Sequence, residues 1–364
     1  MNKKKVLISM SADVIHHGHI NIINKASRHG DVIVSLISDE IIAKYKRVPY
    51  LNWENRKKIL ENIKGVTKVI LQKEWNYVPV IKKIKPDILV HGTDWKEGYL
   101  KNYRELAIKA LKSYGGKLIE YEYTKGISTK NLSLNQKLIG TSTDLRRSSL
   151  KRLLKLKDLV RILETHNPLS ALIAEQIYVK DKNFIREFDG FWSSSLTDST
   201  SQGKPDTESL DLSFRLNNIS NIFNTTTKPM IVDCDTGGLV EHFSMNVKIM
   251  ERLGISAVII EDKKGLKKNS LLGTKVKQEQ ESIKNFSDKI TSGIKSRNDE
   301  NFMIIARIES LILEKGMSDA LKRAYSYIEA GADGIMIHSK KNNPREIFEF
   351  SNKFRKQFNK IPLI

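Results

Sequence analysis

The chain has 364 residues, 40% of them hydrophobic, and its 62 lysines and arginines against 42 acidic residues give a formal net charge of +20. This length is sufficient for two domains, each with its own core. No apolar run approaches the ~20 residues that span a bilayer, and the apolar run after the basic start is too short for a signal peptide. The single cysteine, Cys234, excludes an intrachain disulfide framework and suits a reducing cytoplasm, where we expect the protein.

The excess of lysine and arginine raises the question of nucleic-acid binding. The lysines are scattered over every predicted helix instead of following one stripe, and no zinc-finger spacing is present. We therefore expect no nucleic-acid partner and no membrane partner. A positive surface of this kind attracts small polyanionic molecules such as nucleotides.

The first ~140 residues alternate short β-like runs with amphipathic helical stretches, a pattern typical of a parallel sheet with helices on both faces. We predict a Rossmann-like α/β domain over residues 1–140, with one helix over 103–113. A polar segment, 141–150, lacks an apolar face and is interpreted as a linker. The predicted strands are 5–10, 31–37, 68–72, 87–91 and 117–123.

A second βα series occupies residues 151–364, with helices such as 318–330 and 344–358 between its strands. Six βα units leading into a seventh strand at 362–364 indicate a (β/α)8 TIM-type barrel. Closure of such a barrel needs eight strands, so we expect it to be incomplete at the C-terminus by roughly seventy or more residues. The predicted strands are 171–177, 190–193, 230–233, 257–261, 302–307 and 334–338.

A histidine-rich motif, His16-His17-Gly18-His19, follows the first strand and opens the first helix. Gly18 allows a phosphate to approach the backbone, and the helix N-terminus supplies N–H donors and a positive dipole. His16 and His19 share a helix face because they are three residues apart. The motif resembles the HxGH signature of the nucleotidylyltransferase family, notably the cytidylyltransferases.

Further segments match that family in the same order. They are the basic loop from Lys44, then Arg56, the 85–95 segment that ends in Asp94-Trp95, and the 126–130 segment that resembles an ISTT motif. The chain departs from the family pattern at Ala12 and Lys130. The resemblance implies catalytic roles for His16, His19 and Lys44. It implies nucleotide contacts for Asp13, Gly18, Arg56, Asp94, Trp95, Ile127, Ser128 and Thr129.

Acidic residues stand where two neighbouring barrel strands end: Asp233 and Asp235 after one strand, and Glu261 after the next. Active sites of parallel barrels lie at the carboxyl ends of the strands, and carboxylates are the ligands that Mg²⁺ prefers. Arg307 and His338 end the two following strands, where a guanidinium can bind a phosphoryl group in forked geometry. The pattern predicts a magnesium and phosphoryl site.

The run 261–270 has the pattern EDKxxxKxNS, which resembles the gating loop of the phosphoenolpyruvate mutase family. The resemblance implies that Asp206, Lys267, Asn269, Ser270, Arg307 and His338 are catalytic, and that Ser194, Ser195 and Leu196 hold the pyruvyl end of the substrate. Isocitrate lyase-like members carry a cysteine in this loop. Its absence here disfavours a lyase, whereas a phosphonopyruvate hydrolase remains the nearer alternative.

Together the two halves resemble the bifunctional enzymes of phosphonate pathways of the fosfomycin type, in which a cytidylyltransferase is joined to a phosphoenolpyruvate mutase. The resemblance implies Mg²⁺ as cofactor, CTP as co-substrate, and a small phosphonate such as 2-hydroxyethylphosphonate or 2-aminoethylphosphonate as acceptor. A homo-oligomer is expected at full length. Two alternatives stay open: a phosphocholine- or glycerol-3-phosphate-type cytidylyltransferase with an inactive mutase half, and a scaffold protein in which both domains have decayed.

Overall fold

The computed structural model describes residues 3–45, 48–96, 100–122, 141–180, 185–265, 267 and 278–364. The chain divides into two compact units: Met1–Leu138 with Tyr178–Arg186, and Ile139–Ile177 with Glu187–Ile364. None of the helices in the described ranges has both the length and the apolar character needed to cross a membrane.

The first unit contains a five-stranded parallel sheet in the order β3-β2-β1-β4-β5. Its strands are β1 (Lys5–Met10), β2 (Asp31–Ile37), β3 (Val66–Gln72), β4 (Ile88–Gly92) and β5 (Lys117–Tyr121). The strand order reverses between β1 and β4, and in open α/β sheets ligands bind outside the carboxyl ends of the strands at such a point. All five predicted strands are present, although the predicted end of β5 at 123 lies outside the described residues.

Helices cover both faces of this sheet. They are α1 (His17–Ser27), α2 (Asp39–Tyr45), α3 (Trp53–Glu61), α4 (Val78–Ile84) and α5 (Lys101–Lys112), and Thr93–Trp95 forms a short 3-10 helix. Alternate residues of β1 enter different layers: Val6 and Ile8 pack with α1, whereas Leu7 packs with α4 and α5. This alternation follows from the two-residue period of a strand.

The second unit contains a six-stranded parallel sheet in which neighbouring strands follow one another along the chain. Leu363 makes a parallel bridge to Ile335, so the predicted seventh segment lies beside the last strand. The strands of this sheet are β6 (Ile162–Glu164), β9 (Gly190–Ser193), β10 (Met230–Asp233), β11 (Ala257–Glu261), β12 (Met303–Ile308) and β13 (Gly334–Ile337). A separate two-stranded sheet is formed by β7 (Tyr178–Lys180) and β8 (Ile185–Glu187), and its residues 178–186 group with the first unit.

The helices of this unit lie between the strands, as a (β/α) barrel requires. They are α6 (Thr143–Leu156), α7 (Pro168–Gln176), α8 (Ser195–Ser201), α9 (Leu212–Phe223), α10 (Val240–Leu253), α11 (Ile283–Ser296), α12 (Gly316–Glu329) and α13 (Arg345–Gln357). Val258 and Ile260 belong to the layer beneath these helices, whereas Ala257 and Ile259 belong to the opposite layer around Leu150. The strands therefore have two buried faces.

The prediction of a strand over 171–177 was wrong, because Pro168–Gln176 is a helix. Pro168 occupies its first turn, and Asn167 caps it with a reciprocal capping box. Both are helix-start signals, and here they decide the conformation of a short apolar run. The first barrel strand is instead Ile162–Glu164, whose three residues give little periodicity to recognise.

Residues 143–150, assigned to a linker from the sequence, form the first part of helix α6. Leu150 and Leu153 are buried, and so is Arg146, which donates hydrogen bonds to the backbone oxygens of Lys228 at 3.0 Å and Phe223 at 3.1 Å. The segment has a polar sequence because its buried face contains the Arg146 guanidinium, whose partners are backbone carbonyls about 80 residues away.

Candidate active sites

The histidine motif of the first unit is built at the start of α1. Ala12 adopts a left-handed φ of 46°, and the buried Asp13 accepts a hydrogen bond from the Tyr50 backbone N at 2.6 Å. These two residues turn the chain out of β1 so that His16 becomes the N-cap of the helix. The structure therefore places the motif at the carboxyl end of a central strand, beside the point where the strand order reverses.

His16 and His19 lie together, with ring centroids 4.0 Å apart. The Nδ1 atom of His16 accepts from the Gly18 backbone N at 3.2 Å, and the Nδ1 atom of His19 accepts from the His16 backbone N at 3.3 Å. Since each Nδ1 is an acceptor, the proton of each neutral ring resides on Nε2. Burial, with a smaller effect of His17, lowers the pKa of His16. The pair thus supplies two Nε2–H donors at a helix N-terminus, a suitable arrangement for a phosphate.

Arg56 has a different environment from the one expected of a nucleotide contact. Its side chain is fully buried. It donates to the backbone oxygens of Ser11, Ile37 and Leu51 and to Asp39 Oδ1 at 2.5 Å. The guanidinium thus has a structural role, because it joins the carboxyl ends of β1 and β2, and a contact of Arg56 with a nucleotide stays a prediction.

Asp94 and Trp95, although adjacent in sequence, have different environments. Trp95 is fully buried, stacks on His91 at 3.8 Å and donates from Nε1 to Glu120 Oε1 at 2.8 Å. Asp94 is exposed and can reach a ligand, whereas the Trp95 ring cannot without unpacking. Lys44 is exposed in the last turn of α2. Ile127, Ser128 and Thr129 lie outside the described residues.

In the second unit, Lys267 joins three predicted site residues. Its ammonium lies 2.5 Å from Ser195 Oγ, 2.9 Å from Asp206 Oδ1 and 2.7 Å from Asp235 Oδ1. The contact with Asp235 is an ion pair that lacks hydrogen-bond alignment. Although burial opposes the charge of Lys267, the surrounding carboxylates, Asp233 foremost, raise its pKa well above the ordinary value. Lys267 is therefore a permanent cation at the centre of the site.

Arg215, which the sequence analysis did not select, fixes the neighbouring strand ends. The buried guanidinium donates to Asp198 Oδ2 at 2.8 Å, to the Asp233 backbone oxygen at 2.6 Å and to the Ser193 backbone oxygen at 3.2 Å. It thereby sets the start of α8, where Ser194 caps the helix and Ser195 and Leu196 follow. No local sequence signal marks Arg215, because it lies within α9, many residues along the chain from the ends of β9 and β10.

The three predicted metal ligands occupy the ends of β10 and β11. Ser195 Oγ donates to Asp233 Oδ2 at 3.1 Å, and Asp235 has a left-handed φ of 53°. Burial opposes ionisation of Asp233, but Lys267, Arg307 and Arg215 outweigh it and lower its pKa. Burial, with the Asp233 charge, raises the pKa of Asp235. Among the described residues, no three acidic, histidine or cysteine side chains are already arranged around a metal position.

Glu261 is the most unusual of these carboxylates. Both of its oxygens are buried, and neither has a hydrogen-bond partner among the described residues. The nearest cations are Arg307, with Nη2 at 3.3 Å, and Lys263, with Nζ at 3.5 Å. Burial raises the pKa of Glu261 to about 8, against the opposing effect of Arg307. A buried carboxylate with two unsatisfied oxygens is suited to a cation.

Arg307 and His338 both contact a residue that the prediction did not include. Glu309 Oε1 accepts from Arg307 Nε at 2.8 Å and from His338 Nε2 at 2.5 Å, and Glu309 Oε2 lies 3.2 Å from Lys263 Nζ. Glu309 stands two residues after Arg307, as Lys263 stands two after Glu261. The two-residue period at the strand ends was the signal that could have identified both. Asn269 and Ser270 lie outside the described residues.

Comparison with known proteins identifies both halves. Residues 150–363 match the phosphoenolpyruvate phosphomutase family, and residues 11–132 match a cytidylyltransferase-like family. The chain belongs to the phosphoenolpyruvate phosphomutase family. The predictions of an α/β fold class, and of a Rossmann-like domain followed by a mutase-type domain with a parallel, barrel-like sheet, are confirmed.

Individual relatives match the mutase-family half. The chain is 35% identical over 224 residues to a phosphoenolpyruvate phosphomutase of Tetrahymena pyriformis, covering 61% of this chain and 70% of the relative. It is 36% identical over 203 residues to a phosphonopyruvate hydrolase of Variovorax sp. (strain Pal2), covering 56% of this chain and 66% of that protein. A solved phosphonopyruvate hydrolase in complex with oxalate and Mg²⁺ is 34% identical, with a TM-score of 0.52 over 60% of this chain and 70% of the other.

Proposed function

We propose that the second unit interconverts phosphoenolpyruvate and phosphonopyruvate. We also propose that the first unit transfers the cytidylyl group of CTP to a small phosphonate, such as 2-hydroxyethylphosphonate or 2-aminoethylphosphonate. The observation that carries the mutase assignment is the contact of Lys267 with Ser195, Asp206 and Asp235 in a buried site of a mutase-family domain.

In this proposal the residues of the second unit divide the substrate between them. The backbone and hydroxyls of 194–196 hold the pyruvyl carboxylate and enolate oxygens. Arg307, His338 and Asn269 hold the phosphoryl group as it leaves oxygen and re-adds at the methylene carbon, near Asp206. Lys267 holds Ser195 beside Asp206 and Asp235. Exclusion of water from this buried site separates the transfer from hydrolysis. The residues thus act by positioning and by electrostatic stabilisation.

The acidic residues fit Mg²⁺ by charge and by donor type. The connected set of buried ion pairs contains two more carboxylates than cations, and the two Glu261 oxygens have no hydrogen-bond partner among the described residues. A divalent cation balances that excess, and oxygen donors suit Mg²⁺. Asp233, Asp235 and Glu261 would hold it, and it would supply positive charge against the pyruvyl oxygens. The set comprises Asp198, Asp206, Asp233, Asp235, Glu261 and Glu309 with Arg215, Lys263, Lys267 and Arg307.

In the first unit, the Nε2–H groups of His16 and His19 would donate to CTP phosphate oxygens as negative charge develops on the α-phosphoryl oxygens and the leaving pyrophosphate. A phosphonate oxygen attacks that phosphorus in line, and pyrophosphate leaves. The positive end of the α1 dipole adds a favourable potential for the phosphates. The protein again contributes orientation and charge stabilisation, which dominate phosphoryl-type transfers.

The mutase proposal is tested by ³¹P NMR of the full chain with Mg²⁺ and phosphonopyruvate. The expected result is replacement of the phosphonate resonance by that of phosphoenolpyruvate. Lys267→Met should abolish this change, and Lys264→Met, which removes an exposed lysine nearby, should not. Appearance of inorganic phosphate without phosphoenolpyruvate would establish a hydrolase. The absence of any turnover would contradict the proposal.

The cytidylyltransferase proposal is tested in the same way with Mg²⁺ and CTP. 2-Hydroxyethylphosphonate, 2-aminoethylphosphonate, phosphocholine and glycerol 3-phosphate are assayed separately. A new phosphonate–CMP anhydride resonance with release of pyrophosphate is the expected result. His16→Ala should remove it, while His17→Ala serves as the control within the same motif. Turnover of the phosphate esters alone would refute the phosphonate assignment and favour the lipid-precursor alternative.

A further inference from the structure

Glu309 connects the two side chains proposed to hold the phosphoryl group. It is fully buried at the end of β12, and one carboxylate oxygen accepts from both Arg307 Nε and His338 Nε2. The other oxygen lies 3.2 Å from Lys263 Nζ. The carboxylate is ionised: although burial opposes ionisation, the hydrogen bond from His338 and the charge of Arg307 lower the pKa of Glu309. Two hydrogen-bond donors and one lysine ammonium, from three segments, thus meet on one buried anion.

The backbone of Glu309 is fixed by a hydrogen bond to Asp262. Its backbone N donates to Asp262 Oδ1 at 2.9 Å. The other oxygen of Asp262 accepts from Tyr327 Oη at 2.7 Å, from Gln280 Nε2 at 2.8 Å and from Arg323 Nη1 at 3.2 Å. Asp262 is completely buried and both of its carboxylate oxygens accept hydrogen bonds, so its side chain has little freedom to move. Glu309 is therefore held before any ligand arrives.

The contact with Glu309 determines which nitrogen of His338 carries a proton. An ionised carboxylate only accepts hydrogen bonds, so the Nε2 atom that lies 2.5 Å from it must be the protonated nitrogen. Burial lowers the pKa of His338, and Arg307 and Lys263 act in the same direction against the opposing effect of Glu309. The neutral ring then has its lone pair on Nδ1.

We propose that Glu309 is a positioning residue of the phosphoryl site: it holds Arg307 through Nε, leaving its Nη edge toward Asp233 and Glu261, and it fixes His338 as the Nε2–H tautomer. This inference rests on the proposed mutase function. Because Nε2 is engaged, His338 contacts a phosphoryl oxygen through Nδ1. One proton must then lie between Nδ1 and that oxygen, brought by the ligand or taken up from solvent.

The test uses the full chain labelled with ¹⁵N-histidine and long-range ¹H–¹⁵N NMR at pH 8, with the His338 signals identified by their loss in His338→Gln. The expected wild-type pattern is the Nε2–H tautomer. Glu309→Gln removes the charge but keeps the shape. In one orientation the amide NH2 group faces the N–H donors of Arg307 and His338, and in the other it faces the Lys263 ammonium. The fixed tautomer should therefore be lost. Asp319→Asn is the matched control, because Asp319 belongs to the same network through Ser310 and Arg323.

Turnover supplies the second measurement. Glu309→Gln should lower kcat/KM for phosphonopyruvate by roughly 10- to 100-fold, by analogy with the range found for groups that orient a metal-binding histidine through its second nitrogen. Glu309→Asp retains the charge with a shorter reach and should recover part of that loss. Near-UV circular dichroism establishes that each variant is folded.

An Nδ1–H tautomer in the wild type would overturn the inference, and so would a Glu309→Gln variant that matches Asp319→Asn in tautomer and turnover. Failure of the inference and failure of the proposed function are distinguishable. The tautomer is read without substrate, whereas an inactive wild type with the Nε2–H pattern would refute only the mutase assignment. If Glu309→Gln fails to fold, the wild-type tautomer and the Glu309→Asp kinetics still decide the inference.

Discussion

Replacement of Glu261, a titratable group, by glutamine should change how the stability of the metal-free protein depends on pH. Glu261 is buried, its oxygens have no hydrogen-bond partner among the described residues, and its pKa is raised to about 8. An unfolded chain ionises this residue near pH 4.5, whereas the native protein retains the proton up to about pH 8. Between these values the native state binds more protons, so wild-type stability falls as pH rises.

The size of the effect follows from linkage. Each pH unit inside the window costs at most about 1.4 kcal/mol for one group, so wild type should lose about 2 kcal/mol between pH 5 and pH 7 from Glu261 alone. Glu261→Gln has no such group. Any fixed penalty for placing an amide beside Arg307 and Lys263 is independent of pH. The difference in unfolding free energy between Glu261→Gln and wild type should therefore increase by about 2 kcal/mol across this interval.

The assay is calorimetric or urea unfolding of the full chain in EDTA at pH 5, 6, 7 and 8, following the transition that responds to Mg²⁺ in wild type. Glu349→Gln, which removes an exposed carboxylate paired with Lys353, is the control and should show no change in slope. Added Mg²⁺ should flatten the wild-type dependence and leave Glu261→Gln unaffected. Parallel pH profiles for wild type and Glu261→Gln in EDTA would refute the reasoning.

Three other substitutions test whether Arg56, Leu150 and Trp95 stabilise the fold as buried side chains. Arg56→Met should lower the stability of the first unit by about 3–5 kcal/mol in urea, because Asp39 loses its buried partner; a change below 1 kcal/mol would contradict the structural role. Leu150→Ala should cost the second unit about 2–5 kcal/mol, since the side chain is fully buried, and an unchanged melting transition would place α6 outside its core. Trp95→Phe loses the bond to Glu120 and should destabilise by about 1 kcal/mol while CTP affinity stays within roughly threefold. A large loss of affinity would restore Trp95 as a nucleotide contact.

Much of the fold could be read from local pattern. Alternation of apolar runs with amphipathic helices predicted the five strands of the first sheet and the barrel strands from 190 onward, because parallel strands buried on both faces are continuous apolar runs. Acids and cations directly after those runs predicted Asp233, Asp235, Glu261, Arg307 and His338 as neighbours, since the carboxyl ends of parallel strands meet at one edge. Short elements with capping signals, such as Pro168–Gln176, escaped this reasoning.

Tertiary structure decided which polar side chains are exposed and which are buried with partners inside the fold. Arg56 and Trp95 match family positions in sequence, yet both are buried with partners in distant segments. The two-residue spacing after Arg307 marks Glu309 in the sequence, but its partners are set by β12 and β13, which bring Arg307 and His338 to the same carboxylate. Local composition and the period of apolar residues depend on a residue and its near neighbours along the chain. A hydrogen-bond partner depends on which distant segment shares its space, and only the packed chain specifies that.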